Sequence, residues 1–309
     1  MRRTGEIEEP HTYPWSIVLR CSTGEGPVWF KAPSAACAHE VGVVRMLAAM
    51  RPDRMADVLA TDAEDAWMLT RDAGAPLRSL IRPTGDIGPW RDVLPRYAEL
   101  QRALSERLPA LLELGTPDLR LAVLPAMYDD LLADRAAWDT AGPAGLTSAE
   151  HGRLRELAPR FRDLCEALAQ HGIPESLNHG DLHDKNVFMR DDRVVFLDWG
   201  DCSVTHPFIS LRTVFVSIEI SLGLEEYTLT PEMAELRDLY LTSWLPFGSL
   251  DRLRAAADCA ELLSPIVGAS AWRRALVTAD ADQRAIYAHA VPELLREFLT
   301  REARMSGRS

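Results

Sequence analysis

The sequence predicts an α+β protein of two lobes: a small β-rich lobe over residues 1–75 and a larger, mostly helical lobe over residues 76–309. Three observations carry this reading. Apolar runs of strand length, separated by turn signals, crowd the first 75 residues. Beyond Pro76, apolar residues recur at helical spacing over long segments. A hydrophobic content of 47% over 309 residues supplies a core large enough for such a body. Neither an internal repeat nor a low-complexity segment interrupts the pattern.

In chain order, residues 15–21 and 27–33 are apolar-rich runs flanking the turn signal Ser-Thr-Gly-Glu-Gly, which predicts a β-hairpin with Lys31 near the end of its second strand. Ser34 is placed as the N-cap of a helix running to Met50, in which Val41, Val44, Leu47 and Ala48 share a face and Glu40 is the only acid. Asp57–Thr61 and Ala66–Thr70 read as two more strands around an acidic turn, and Arg71–Pro76 as a linker. Then follow three amphipathic segments, residues 90–114, 124–138 and 147–172, the last capped by Thr147 or Ser148 and stopped at Gly172. The Pro/Gly clusters at residues 82–89 and 140–145 read as loops, and the chain after His206 is again mostly helical.

The formal charge of −12 argues against a nucleic-acid or anionic-membrane surface and suits a cationic small molecule. The cysteines, Cys21, Cys37, Cys165, Cys202 and Cys259, are odd in number and show no CxxC spacing, which argues against a disulfide framework or a thiolate zinc site. The basic N-terminus is followed by no apolar run, and no stretch of about 18 apolar residues occurs, so neither a signal peptide nor a membrane span is expected and the cytoplasm is the expected compartment. Of the 34 basic residues only Lys31 and Lys185 are lysines. Against an arginine-rich background these two either mark places that need a compact ammonium or survive by chance.

The densest chemistry lies in Leu-Asn-His-Gly-Asp-Leu-His-Asp-Lys-Asn-Val-Phe, residues 177–188, and in Phe-Leu-Asp-Trp-Gly-Asp, residues 196–201. Asn186–Met189 and Val194–Asp198 flank a tight acidic turn, the pattern of a β-hairpin, and its register sets Asn186 within about one residue of Asp198. Opposite residues on paired strands have Cβ atoms about 5 Å apart. A carboxylate and a carboxamide oxygen thus meet, two hard ligands suited to Mg2+. Asp181, on the preceding loop, faces the same place as a candidate base. A second chemistry uses similar parts: His179, Asp181 and His183 alternate, and with His206 they would make the zinc site of a hydrolase.

His-Gly-Asp-Leu-His-Asp-Lys-Asn followed by Asp-Trp-Gly resembles the catalytic and metal loops of the aminoglycoside phosphotransferase and choline kinase family, whose fold is similar to that of protein kinases. The resemblance is strongest over residues 177–201 and extends to Lys31 and Glu40. It implies transfer of a phosphoryl group from ATP or GTP to a hydroxyl of a small molecule, with Asp181 as base and Mg2+ on Asn186 and Asp198. It further implies that Lys31 holds the phosphates, that Glu40 orients Lys31, and that the hinge around Leu69 and Arg71 meets the nucleotide base. His179 would brace the loop and Trp199 would seat the metal loop. Asp201 reads as a loop cap and the other tryptophans as core.

Two departures from the family pattern favour a rival, a pseudokinase that binds nucleotide without turnover. The phosphate-covering turn would fall at Pro10–Ser16, which has no glycine, and the first strand would need residues before Pro10, so the first lobe looks clipped. Ser210 stands where the family often carries an aspartate supporting the catalytic loop. Aminoglycosides, other antibiotics, amino alcohols and sugars are all acceptors on this fold. The acids Asp129, Asp130, Glu219, Glu225 and Glu226 of the second lobe point to an amine-bearing one.

Overall fold

The structure, a computed structural model, describes residues 2–139, 144–190 and 192–307. Most of the loop expected at residues 140–145, and one residue of the acidic hairpin turn, lie outside the described residues.

Strands β1 (Arg3–Tyr13), β2 (Ser16–Thr23) and β3 (Gly26–Pro33) form an antiparallel meander. Helix α1 (His39–Met50) follows, and β4 (Val58–Asp62) and β5 (Trp67–Arg71) complete a five-stranded sheet of order β1-β2-β3-β5-β4. The first lobe is therefore not clipped. Its first strand is present, and the sequence hides it for a physical reason. As an edge strand exposed on nearly its whole length it shows no apolar alternation. Its register shifts between Glu8 and His11, around Pro10, and proline is tolerated on an edge or at a bulge. The helix after β3 also starts later than expected. Ser34 instead opens a 3-10 turn, Ala35–Cys37, without a side-chain cap bond, and α1 begins at His39.

The second lobe begins with the short strand β6 (Ala75–Pro76), already paired to the hairpin that carries Asn186. Helices α2 (Arg78–Thr84), α3 (Trp90–Leu104), α4 (Leu108–Glu113), α5 (Leu124–Ala133), α6 (Arg135–Trp138), α7 (Ser148–Glu156) and α8 (Ala158–Ala169) follow. Residues 82–84, expected in a loop, are the last turn of α2, and Gly85 at φ +67° ends it. The three long amphipathic segments are each broken. Pro109 starts α4 after a 3-10 turn, Asp134 separates α5 from α6, and Pro159 starts α8 where one helix was expected. Thr147 caps α7 in a reciprocal box with Glu150.

Then come β7 (Ser176–Asn178), β8 (Val187–Arg190), β9 (Arg193–Phe196) and β10 (Ser203–Thr205). Sheet β6-β8-β9 and pair β7-β10 carry the two motif loops. Helices α9 (Ser210–Leu222), α10 (Pro231–Thr242), α11 (Leu250–Ala275), α12 (Ala281–Ile286) and α13 (Ala290–Met305) close the lobe. Its core centres on fully buried Trp90, Tyr97, Phe196, Trp199, Phe208, Tyr240 and Trp244. Burying each such ring contributes roughly 1.5–3 kcal/mol. Among the described residues no helix is long and apolar enough to cross a membrane.

Candidate active site

Lys31 sits on β3 with strands on both sides, opposite Val18 of β2 and Met68 of β5. Its Nζ donates to Glu40 Oε1 at 2.7 Å and to Asp198 Oδ1 at 2.5 Å. Glu40 Oε1 also accepts the backbone N–H of Trp199 at 3.0 Å. One ammonium thus ties a strand and a helix of the first lobe to the Asp-Trp-Gly loop of the second. Burial alone would lower the Lys31 pKa; the charges of Asp198 and Glu40 outweigh it and hold the amine above its ordinary value. Burial pushes the Glu40 carboxyl up against the pull of Lys31. We read the pair as ionised, because Lys31 faces a second carboxylate at the same time.

Asp198 adopts φ +65°, left-handed backbone that a non-glycine residue enters only under constraint. Asn186 and Asp198 end the β8–β9 hairpin as expected: Leu197 N–H donates to Asn186 O at 2.9 Å, so Asp198 lies one residue beyond direct opposition. The Asn186 amide donates to Asp181 Oδ2 at 2.9 Å and to Asp181 O at 3.0 Å, which leaves its carbonyl oxygen available. His183 Nε2 is 3.2 Å from the same Asp181 oxygen. Burial alone would raise the Asp181 carboxyl; His183, with help from His179 and Asn186, holds it below its usual value. Burial pulls His183 down in turn, and Asp181 raises it above its own.

The loop bearing Asp181 crosses the loop bearing Asp198 at Gly180. Gly180, at φ +82°, is needed there because a Cβ would lie 2.2 Å from Asp201 O. Burial and the nearby Asp181 carboxylate push Asp201 up to about 7. Arg274, at the end of α11, reaches Gly200 O at 3.4 Å and Asp201 Oδ1 at 3.8 Å, and so ties this loop to the second lobe. Trp199 is buried with Nε1–H on Phe196 O at 3.1 Å and its ring 4.4 Å from that of His179. It seats the loop.

Both nitrogens of His179 are committed inside the fold. Nε2 meets Leu197 O at 2.9 Å, and Nδ1 accepts the Asp181 N–H at 3.3 Å. Burial lowers its pKa to about 4, so it braces the loop as a neutral ring. His206 is buried too, its Nδ1 capping the turn Pro207–Ile209. The alternating His179, Asp181 and His183 therefore do not converge on a zinc ion. Among the described residues no three His, Cys, Asp or Glu side chains form a metal cluster.

Ser210 does support the catalytic loop, through neutral groups. Its hydroxyl donates to Asn178 Oδ1 at 2.7 Å and lies 2.9 Å from Tyr97 Oη. Tyr97 Oη accepts the backbone N–H of His179 at 3.0 Å. Gln101 donates to Leu177 O and Pro207 O, and accepts from Tyr240 Oη at 2.6 Å. A second brace, also missed in the sequence, is Asp184, fully buried between Arg78 Nε at 2.6 Å and the Ser221 hydroxyl at 2.7 Å. Its only signal was its place inside the motif.

Lys31, Glu40, Asp181 and Asp198 line one cavity of ≈ 570 Å³. Asn186 sits behind Asp181, and Leu69 and Arg71 lie outside it. Leu69 pairs with Phe30 and Arg71 with Val28, and the Arg71 guanidinium meets Glu25 at 3.0 Å. The cavity runs on between α9, α11 and α13, past Glu219, Glu226, Glu293 and Glu297. Of the five acids expected near an acceptor, Glu219 and Glu226 are here. Glu225 is absent from the lining, as are Asp129 and Asp130, exposed at the middle of α5. Glu293 and Glu297 were missed, since a helix 100 residues past the motif gives no local signal. Trp15 faces the cavity, and Trp272 both packs against the core and lines the cavity.

Fold and site together define a two-lobed, protein-kinase-like architecture with phosphotransferase loops. The chain belongs to the APH phosphotransferase enzyme family, whose model matches residues 26–211. A comparison with curated protein sequences found no match. Among solved structures, a Cryptosporidium parvum choline kinase aligns at TM-score 0.64 and 11% identity, covering 98% of this chain and 90% of its own. A Plasmodium vivax ethanolamine kinase aligns at TM-score 0.63 and 10% identity, covering 96% and 81%. An amicoumacin kinase in complex with AMP-PNP and Ca2+ aligns at TM-score 0.56 and 13% identity, covering 94% and 88%. At these identities the likeness is one of fold.

Tyr97→Phe removes the hydroxyl that joins Ser210 to the His179 N–H and leaves buried polar groups unpaired. We expect a loss of about 1–3 kcal/mol in denaturant unfolding. Unchanged stability would show that the network does not hold the loop.

Proposed function

We propose that the chain transfers the γ-phosphoryl group of ATP or GTP to a hydroxyl of a small, amine-bearing acceptor. The observation that carries this is the meeting of Lys31, Glu40, Asp198 and Asp181 in one cavity. The presence of the first strand and the bracing bonds of Ser210 support turnover over a nucleotide binder without it, while the turn between β1 and β2 still lacks glycine.

In this reading Lys31 binds the phosphates and Glu40 fixes its ammonium. Asp181 accepts the acceptor's hydroxyl proton as the oxygen attacks the γ-phosphorus. The bond from that phosphorus to the bridging oxygen breaks, and the nucleoside diphosphate leaves with the electron pair. Asn186 and Asp198 would hold Mg2+, which would neutralise charge on the phosphates when bound. The donor set fits: Asp198 is half exposed to the cavity, Asn186 keeps a free carbonyl oxygen, and Mg2+ ordinarily takes one or two protein oxygens beside substrate phosphates. Leu69 and Arg71 remain proposed hinge contacts to the base through their place on β5. The acceptor would lie among Glu219, Glu226 and Glu293. Glu219 is buried and its carboxyl raised by that burial, while Arg212 is already held by Glu297 Oε1 at 2.8 Å. The fold relatives include kinases of choline and ethanolamine, both hydroxylated amines.

Asp181→Asn keeps shape and removes proton acceptance, so turnover should fall by roughly 10²–10⁴ with nucleotide binding retained. Activity should also require nucleotide and Mg2+ together. Full turnover in the variant would remove Asp181 from the mechanism, and nucleotide-independent hydrolysis with stoichiometric zinc would replace the reading altogether.

Lys31→Arg should abolish most activity, because a planar guanidinium does not fit between carboxylates 2.7 and 2.5 Å from one ammonium. Lys185→Arg, at an exposed position, should be mild. Equal small effects in steady-state assays would mean that the scarcity of lysine carried no information.

Salt should weaken the acceptor more than the nucleotide. Exposed charge pairs contribute roughly 0.2–1 kcal/mol each, and the Debye length falls from about 10 Å at 0.1 M to about 3 Å at 1 M salt. The acceptor KM should therefore rise with added salt while the Mg-ATP KM changes less. A neutral best acceptor, or a KM indifferent to salt, would assign the acids to surface solvation.

A further inference from the structure

The turn at Pro14–Trp15, between β1 and β2, contains no glycine; the flanking ones are Gly5 and Gly24. Rings hold it instead. The Trp15 indole lies edge-on to Trp272 of α11 at 5.4 Å and to Tyr287 at 5.1 Å, and it stacks on Tyr13 at 5.1 Å. Trp15 O accepts the Ser34 N–H at 2.7 Å, and the Thr278 hydroxyl donates to Pro14 O at 3.4 Å. The tip of the first lobe's sheet is thereby fastened to the junction of α11 and α12. Of the three ring partners only Trp272 shares the cavity with Trp15. That cavity also holds Asp181 and the acids of α9 and α13.

We propose that Trp15 is a specificity-determining residue for the acceptor. Through this turn the nucleotide lobe supplies one wall of the acceptor space, and the Trp15–Trp272 pair limits how bulky an acceptor can be. The proposal rests on the phosphotransfer reading above. The physics is that of a shaped, mostly apolar wall facing a few polar groups. Two indoles fill a large volume, and their faces attract an organic cation within about 6 Å. Removing one opens room in that wall. Tyr287 provides the control, since it touches Trp15 but does not line the cavity.

The experiment measures kcat/KM with Mg-ATP for ethanolamine, choline and the aminoglycoside kanamycin. It compares the wild type with Trp15→Ala, Trp15→Phe and Tyr287→Ala. In Trp15→Ala the ratio of the bulkiest to the smallest accepted compound should rise about tenfold, the scale at which pocket contacts discriminate. Trp15→Phe should recover part of that shift. Tyr287→Ala should leave the ratio within about twofold; because Trp15 belongs to the turn expected to cover the phosphates, the acceptors are compared at saturating Mg-ATP, so that any common change in nucleotide binding cancels in the ratio. A ratio unmoved in Trp15→Ala, or moved equally by Tyr287→Ala, would overturn the proposal and make Trp15 a brace. Absence of ATP-dependent transfer by the wild type would sink the phosphotransfer reading instead. Calorimetric affinities for the same compounds then decide the wall: a shifted affinity ratio in Trp15→Ala supports it, and an unshifted ratio or no binding overturns it.

Discussion

The rest of the site depends on one ammonium serving two carboxylates. Lys31 is fixed by strands on both sides, Glu40 by the helix that follows, and Asp198 by a loop of the other lobe. Through this bond a strand residue helps set the position of a loop that sequence places 167 residues away. The left-handed backbone at Asp198 costs on the order of 1–3 kcal/mol, and the bond to Lys31 helps to offset it. Removing one partner of a buried ion pair costs about 3–5 kcal/mol, because the remaining charge is stranded. In this site removing Lys31 would strand the buried Glu40, whereas Asp198, half exposed, keeps its access to water. The triad is therefore a statement about geometry first: it holds only when the two lobes approach to hydrogen-bonding distance.

The catalytic loop is braced by a contrasting device. Beneath His179 and Asp181 lie Tyr97, Gln101, Asn178, Ser210 and Tyr240, none of which carries a charge. A buried carboxylate at position 210 would pay a large desolvation penalty unless paired, whereas hydroxyls and amides need only complete hydrogen bonds. Here the Ser210 hydroxyl has an acceptor in Asn178 and the Tyr97 hydroxyl takes the His179 N–H. Support for the loop comes from several neutral groups spread over α3, α9 and α10, beside the buried ion pair of Asp184 with Arg78.

Much of this was legible in the sequence where the signal is local. The β8–β9 hairpin, with Asn186 and Asp198 at its end, follows from two apolar runs and a turn. The pairing of Lys31 with Glu40 was implied by the family resemblance of the motif loops; a strand leading into a helix with a single acid would not have required it. What sequence did not reveal was set by tertiary context. Strand β1 is an exposed edge without alternation, so its polar residues carry no strand signal and the lobe looked clipped. Long amphipathic segments looked continuous because the apolar stripe survives a break at Pro109 or Pro159. Glu293 reaches the cavity, whereas Asp129 and Asp130 do not, and that depends on how helices pack, which spacing within a helix does not encode.

The charge balance of the cavity explains why an apolar fastening suits its mouth. Its walls carry Glu40, Asp181, Asp198, Asp201, Glu219, Glu226, Glu293 and Glu297 against the cations Lys31 and Arg212. Arg212 is committed to Glu297, and Lys31 already serves two carboxylates. A lobe closure that relied on further ion pairs would weaken with salt and compete with any charged ligand for the same groups. The contacts of Trp15 with Trp272 and Tyr287 do neither. Aromatic pairs of this kind contribute about 0.5–1.5 kcal/mol beyond their buried area, enough to bias two lobes toward each other without locking them. Entry and exit of a charged ligand then break no ion pair between the lobes at this turn.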